Sequence, residues 1–230
     1  MNNTTISLNT LGKIIGITLI IMAIISGIAF GGLHPQLFQT DTANLFSHLQ
    51  TTSNLLRLDI FLWLMVIVTD IIVSWALHLY LRHINPDLSL VAAWTRLIYT
   101  SILATAVSEL IKILNLTQIH IIADPSAQIQ LLEQNFNLVW SFGLIIFGLH
   151  LILIGYIARQ TQHIPKIISY LVILAGLSYC LVHSLDLILP QGHFVASSIE
   201  TILLLPMTVG ELGFGLWLLV KGARLERNKA

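Results

Sequence analysis

Asp70, Arg96, His150 and Glu211 stand on four different apolar stretches and have the side-chain types to share one piece of chemistry. Two carboxylates carry protons or cations. A guanidinium fixes an acid or binds an anionic group, and an imidazole relays a proton. Such groups are costly in an apolar segment, at about 2.5–3.5 kcal/mol each on membrane-insertion scales, so each is read first as functional. The competing reading is an ion pair, Arg96 with Asp70 or Glu211, that only locks helices together. His150 taken alone reads as an interhelical hydrogen-bonding residue.

A second polar layer contains Glu109, His183 and Glu200, with Asp59, Asp186 and Lys112 nearer the span ends. His183 and Asp186 are three apart and share a helix face, as do Glu109 and Lys112, which reads as an internal ion pair. His183, Asp186, Glu109 and Glu200 are suitable types for zinc or non-haem iron, whose bound water would be a nucleophile. Without an H-E-x-x-H pattern or paired E-x-x-H motifs, the sequence assigns no metal site and no cofactor. Asp59, Asp186 and His193 are read as solvated at helix ends.

Asp59 to Asp70 and Glu200 to Glu211 are both eleven residues, close to three helical turns. Each pair therefore falls on one helix face, about 16 Å apart along the axis. Arg96 and Glu109, thirteen apart, fall on different faces. Pro206 lies between the two glutamates and leaves the carbonyl of Ile202 without its helical donor. Gly210, Gly213 and Gly215 follow, so this helix is expected to bend or pack closely.

The elements that must position these residues follow from composition. The chain of 230 residues is 56% hydrophobic and 10% charged, with 11 Lys+Arg, 11 Asp+Glu and a mean hydropathy of +0.85. Ordinary soluble domains are about one quarter charged, so a soluble enzyme is excluded. Balanced charge likewise excludes nucleic acid as a partner. Stretches of about 20 apolar residues occur at Leu11–Phe30, Leu58–Tyr80, Val91–Leu114, Phe136–Ile157, Lys166–Leu189 and Val195–Val220. The expected fold is all-α, a polytopic bundle of six transmembrane helices forming one domain over residues 1–230.

Lys13, Arg82, Arg159, Lys166, Lys221, Arg224, Arg227 and Lys229 lie on one side of these spans, against Arg57 and Lys112 on the other. Eight against two in short connections predicts both termini in the cytoplasm. The basic tail reads as an anchor on that side. In Gly31–Arg57, Leu45, Phe46, Leu49 and Leu56 recur at near-helical spacing after a cap at Asp41, which predicts a helix at the membrane interface. Asp124-Pro125 marks the start of the fourth helix, which should run unbroken from Ser126 to about Arg159. Gly12-x-x-x-Gly16 fits a helix-packing motif but is expected by chance in so apolar a chain. Trp63, Trp75, Trp94, Trp140 and Trp217 read as an aromatic belt. Cys180 is the single cysteine, so no intramolecular disulfide forms. Asn-x-Thr at Asn2, Asn3 and Asn115 is read as coincidence.

Gly148-Leu-His-Leu-Ile-Leu-Ile-Gly-Tyr156, the run from Gly210 to Gly222, Ala92-Ala-Trp-Thr-Arg-Leu97 and Asp70 resemble a family. It is the bacterial and archaeal membrane protein family catalogued as domain of unknown function 4386. The resemblance covers nearly the whole chain and implies a prokaryotic polytopic membrane protein, placed here in the bacterial cytoplasmic (inner) membrane. It carries over no activity, cofactor or catalytic residue.

The function expected from the residues is binding or transport of a small polar solute or protons through a pocket of Asp70, Arg96, His150 and Glu211. The lipid bilayer is the other partner. The alternatives are an intramembrane, lipid-directed and metal-dependent hydrolase using His183, Asp186, Glu109 and Glu200, or a structural membrane protein without chemistry of its own.

Overall fold

The computed structural model describes residues 6–41, 44–118, 125–189 and 194–222. Asp124, His193, Asn2, Asn3 and the basic tail residues Arg224, Arg227 and Lys229 lie outside the described residues. Helix α1 spans Leu8–Ser26 and runs through a π-helical stretch, Gly27–Leu33, into α2, His34–Phe38. The short α3, Leu45–Thr51, precedes α4, Ser53–Leu81, and α5, Pro86–Gln118. Then come α6, Ser126–Ala158, α7, Lys166–Ile188, and α8, Phe194–Lys221. Six segments are long and apolar enough to cross a membrane: Leu8–Phe38, α4, α5, α6, α7 and Ser198–Lys221. Among the described residues there is no strand, and this is an all-α membrane protein.

Local chemistry sets several boundaries. The Ser7 hydroxyl accepts from Thr10 N at 3.1 Å and starts α1. Asn85 Oδ1 accepts from Leu88 N at 3.1 Å, and Pro86 fills the first turn of α5, where a missing N–H costs nothing. The first helix continues eight residues beyond its expected end at Phe30. Its wider π-helical turn keeps the chain coiled, and Pro35 falls in the first turn of α2, where it is tolerated. Pro206 sits within α8, which remains helical on both sides of it.

Helix α3 begins at Leu45 after Asn44, whose N–H donates to Asp41 O, so Asp41 does not cap it. Leu45 and Leu49 are buried in the common core, while Gln50 Nε2 donates to Thr117 O at 3.4 Å. The apolar side of α3 therefore roofs the bundle. Helix α6 starts at Ser126, with Pro125 just outside it as the capping residue rather than at its first position.

The long helices form a ring in chain order. Helix α4 packs between α1 and α5, α6 between α5 and α7, and α8 closes the circle against α7 and α1. Several crossings bring backbones together. A Cβ added to Gly148 would lie 2.6 Å from Gly176 O on α7. One added to Gly16 would lie 2.6 Å from Gly215 O on α8. Gly12 and Gly16 are therefore packing residues of a real interface, correcting the reading of their spacing as coincidence.

The ring turns a lipid-compatible face outward, with Ile17, Phe61, Trp75 and Trp94 among the exposed side chains. Trp63 is 1% exposed and meets Phe136 and Trp140 edge-on at 5.5 and 5.0 Å between centroids. It belongs to the interior, not to an aromatic belt. We call the end carrying Lys13, Arg82, Arg159 and Lys221 the terminal end, and the end roofed by α3 the cap end.

Candidate functional site

Asp70 on α4, Arg96 on α5 and His150 on α6 are each 1% exposed and meet in the middle of the ring. Arg96 Nε donates to Asp70 Oδ1 at 2.8 Å, and Nη2 approaches the same oxygen at 2.6 Å. Nη1 lies 3.3 Å from His150 Nε2, and the guanidinium carbon lies 5.2 Å from the Phe147 ring centre. His150 Nδ1 is 2.8 Å from Ala92 O. A carbonyl only accepts, so Nδ1 carries the proton and Nε2 accepts from Arg96. Both imidazole nitrogens are thereby committed to holding the arginine in place.

The fourth residue, Glu211 on α8, stands slightly apart. Its Oε1 is 3.7 Å from Arg96 Nη2, an ion pair beyond hydrogen-bond length. The Glu211 side chain is 15% exposed, whereas its three companions are sealed. With Asp70 taking the short contacts, one positive charge serves two carboxylates. Glu211 is the carboxylate left with the longer contact, and it still meets open space.

That space is a cavity of about 690 Å³ between α1, α6, α7 and α8, with Glu211 in its wall. Its size is in the range of small-molecule sites. Leu19, Met22, Leu144, Met207 and Leu212 make it largely apolar. Its other polar wall contains Ser141, His183, Asp186 and Glu200. The eleven-residue spacing thus places Glu200 and Glu211 on one cavity. Ser141 Oγ donates to Asp186 Oδ2 at 3.1 Å, and His183 Nδ1 lies 2.9 Å from Ser141 Oγ and 3.1 Å from Asp186 Oδ2.

Of the weak metal candidates, His183, Asp186 and Glu200 line this wall, while Glu109 is away from it and accepts from Lys112 Nζ at 2.6 Å. Among the described residues, no three His, Cys, Asp or Glu side chains are grouped so as to hold a metal ion.

A family model described as a domain of unknown function, DUF4386, matches residues 14–222. The chain belongs to the DUF4386 family. It is also 28% identical over 161 residues to an uncharacterized protein of Archaeoglobus fulgidus, covering 70% of this chain and 82% of that one. No solved structure matches it.

This DUF4386 chain contains a polar group that sequence reading passed over. Asp59, expected to be solvated, is 0% exposed. It faces His34, which the expected span limits placed in a connecting segment and which meets Glu133 of α6 on its other side. The signal for His34 was available: an imidazole one residue before Pro35, at the end of a helix longer than the hydropathy window. Ser141 had no sequence signal, because a single serine in an apolar helix is usually satisfied by its own backbone.

Proposed function

We propose that this DUF4386 protein is an intramembrane binding and transport protein for a small solute, with protons or cations handled at Glu211. The observation carrying this reading is the cavity itself, with an unevenly shared carboxylate in its wall. Asp70 and His150 hold Arg96 rigidly, and Arg96 holds Glu211 at 3.7 Å. A cation or proton arriving from the cavity competes with Arg96 for Glu211, while the Asp70 pair stays closed. The apolar walls accept the body of a small molecule, and the Asp186–Glu200 wall accepts its polar end.

The cytoplasmic membrane of a prokaryote, with both chain ends inside, fits this reading. Lys13, Arg82, Arg159, Lys166 and Lys221 all belong to the terminal end, the expected positive side.

The metal-dependent hydrolase alternative has less support, because Glu109 pairs with Lys112 away from His183, Asp186 and Glu200, and a serine hydrolase at the same wall fares no better. A serine nucleophile needs a base nitrogen of its own, with the acid on the opposite nitrogen. Here Ser141 and Asp186 both meet Nδ1 of His183.

The test is a pH-jump measurement on protein reconstituted in vesicles containing a pH-sensitive dye. Wild-type protein should speed proton equilibration over empty vesicles, and Glu211→Gln should remove the gain while leaving the melting temperature in place. Equal flux from wild type and Glu211→Gln would refute a proton role at Glu211.

A further inference from the structure

The cap end holds a second arrangement of ionisable groups, separate from Arg96 and its partners. Asp59 on α4 is completely buried, and neither of its oxygens has a hydrogen-bond partner among the described residues. His34 Nδ1, also without a partner, lies 3.9 Å from Asp59 Oδ2. On its other side, His34 Nε2 lies 3.4 Å from Glu133 Oε1 on α6. Glu133 in turn accepts from Asn137 Nδ2 at 2.5 Å, and Asn137 lines the cavity. Exposure falls along this row: the Glu133 side chain is 21% exposed, His34 9% and Asp59 0%.

An ionised carboxylate met only by the long approaches of His34 and the Trp63 N–H is disfavoured in a dry interior, and taking up a proton is the ordinary remedy. A single imidazole between two carboxylates can receive a proton on one nitrogen and release one from the other. Phe30, Phe38 and Phe136 surround the His34 ring, at centroid distances of 5.7, 4.7 and 5.3 Å. These rings offer no proton acceptor of their own. The other charged groups nearby point elsewhere. Arg57 on α4 is exposed, and His48 on α3 hydrogen-bonds Gln36 O.

We propose that Asp59 is a proton-binding site loaded from the cavity side through Glu133 and His34. A proton taken up by the Glu133 carboxylate passes to His34 Nε2. The imidazolium then releases its Nδ1 proton to Asp59 Oδ2. The products are a neutral Asp59 carboxyl, a neutral imidazole protonated at Nε2 and an ionised Glu133, with one proton moved inward. The last transfer requires the 3.9 Å gap to shorten to hydrogen-bond length. His34 directly follows the π-helical stretch, a backbone form often found where a helix must adjust for function. Gly27, Phe30 and Gly31 of that stretch line the cavity. The backbone that carries His34 is thus continuous with the cavity wall.

The test is infrared difference spectroscopy of the full chain in lipid nanodiscs, stepped between alkaline and acidic buffer. The protonated-carboxyl region should contain a band that is lost in Asp59→Asn and displaced in Asp59→Glu. That displacement identifies the group in a variant that keeps an acid at the position. After a rapid pH step, Glu133→Gln and His34→Phe should each slow the growth of this band about tenfold or more, the scale of losing a positioned proton carrier. A spectrum unaltered by both Asp59 variants would overturn the site. Loading at the wild-type rate in Glu133→Gln and His34→Phe would overturn the route.

Discussion

Arg96 and Asp70 form the short contact at the centre of the ring, 2.6 Å from Nη2 to Oδ1, with both side chains 1% exposed. Asp70 offers only one oxygen to the pair, and its Oδ2 has no hydrogen-bond partner among the described residues. The pair is therefore held tightly from the arginine side and incompletely from the aspartate side.

Breaking this pair should be expensive. Asp70→Asn removes the nearest counter-charge of a buried guanidinium and should destabilise the fold by about 3–5 kcal/mol. Asp70→Asn combined with Arg96→Met should cost clearly less than the sum of the two single changes. Unfolding in increasing denaturing detergent measures this, and additive losses would show that the two residues do not depend on each other.

The glycine crossings give an opposite pair of expectations. Gly176→Ala introduces a Cβ 2.5 Å from Gly148 O, and the α6–α7 contact must spread, costing about 1–3 kcal/mol. At Gly213 no atom lies within 4 Å of an added Cβ, so Gly213→Ala should be neutral or stabilising by about 0.5–1 kcal/mol. Thermal melts of the two variants in the same detergent decide the order, and equal melting temperatures would contradict the crossing geometry.

Filling the cavity should separate function from stability. Ala23 lines it from α1, and Ala23→Phe places an aromatic ring in existing space. Proton flux in the pH-jump assay should fall severalfold while the melting temperature stays within the error of wild type. Undiminished flux would mean that the traffic avoids this cavity.

Orientation can be read by labelling. On a Cys180→Ser background, Gln160→Cys lies at the terminal end and Thr51→Cys on α3 at the cap end, and both native residues are exposed. A membrane-impermeant maleimide added to intact cells should react at position 51 and not at position 160. The reverse pattern would invert the assigned topology.

The six spans were legible because a membrane segment is defined by one property over about 20 residues. One end was less so: hydropathy falls off at Phe30, yet backbone hydrogen bonding carries helix to Phe38, whereas the start of α6 at Ser126 was legible from Asp124-Pro125. That error hid His34 in a presumed loop and left Asp59 looking solvated. Depth along each helix could be counted, so Asp70, Arg96, His150 and Glu211 were grouped from the sequence. Which acid Arg96 chooses depends on rotation and helix order, which counting does not provide. Ring closure decides it, placing α4 beside α5 and leaving Glu211 on the opposite rim.

The chain-order ring has a consequence for how the protein is made. Helices leave the ribosome in the sequence that they occupy around the circle, so each newcomer finds its partner already in the bilayer. Only the seam between α1 and α8, where Gly12 and Gly16 meet the residues from Gly215 to Gly222, must wait until α8 has been made. Until then the row of buried charges borders an open slot rather than a wall. The helix that closes the ring is also the one that brings Glu211, so the cavity and the acid that serves it come into being in a single insertion event.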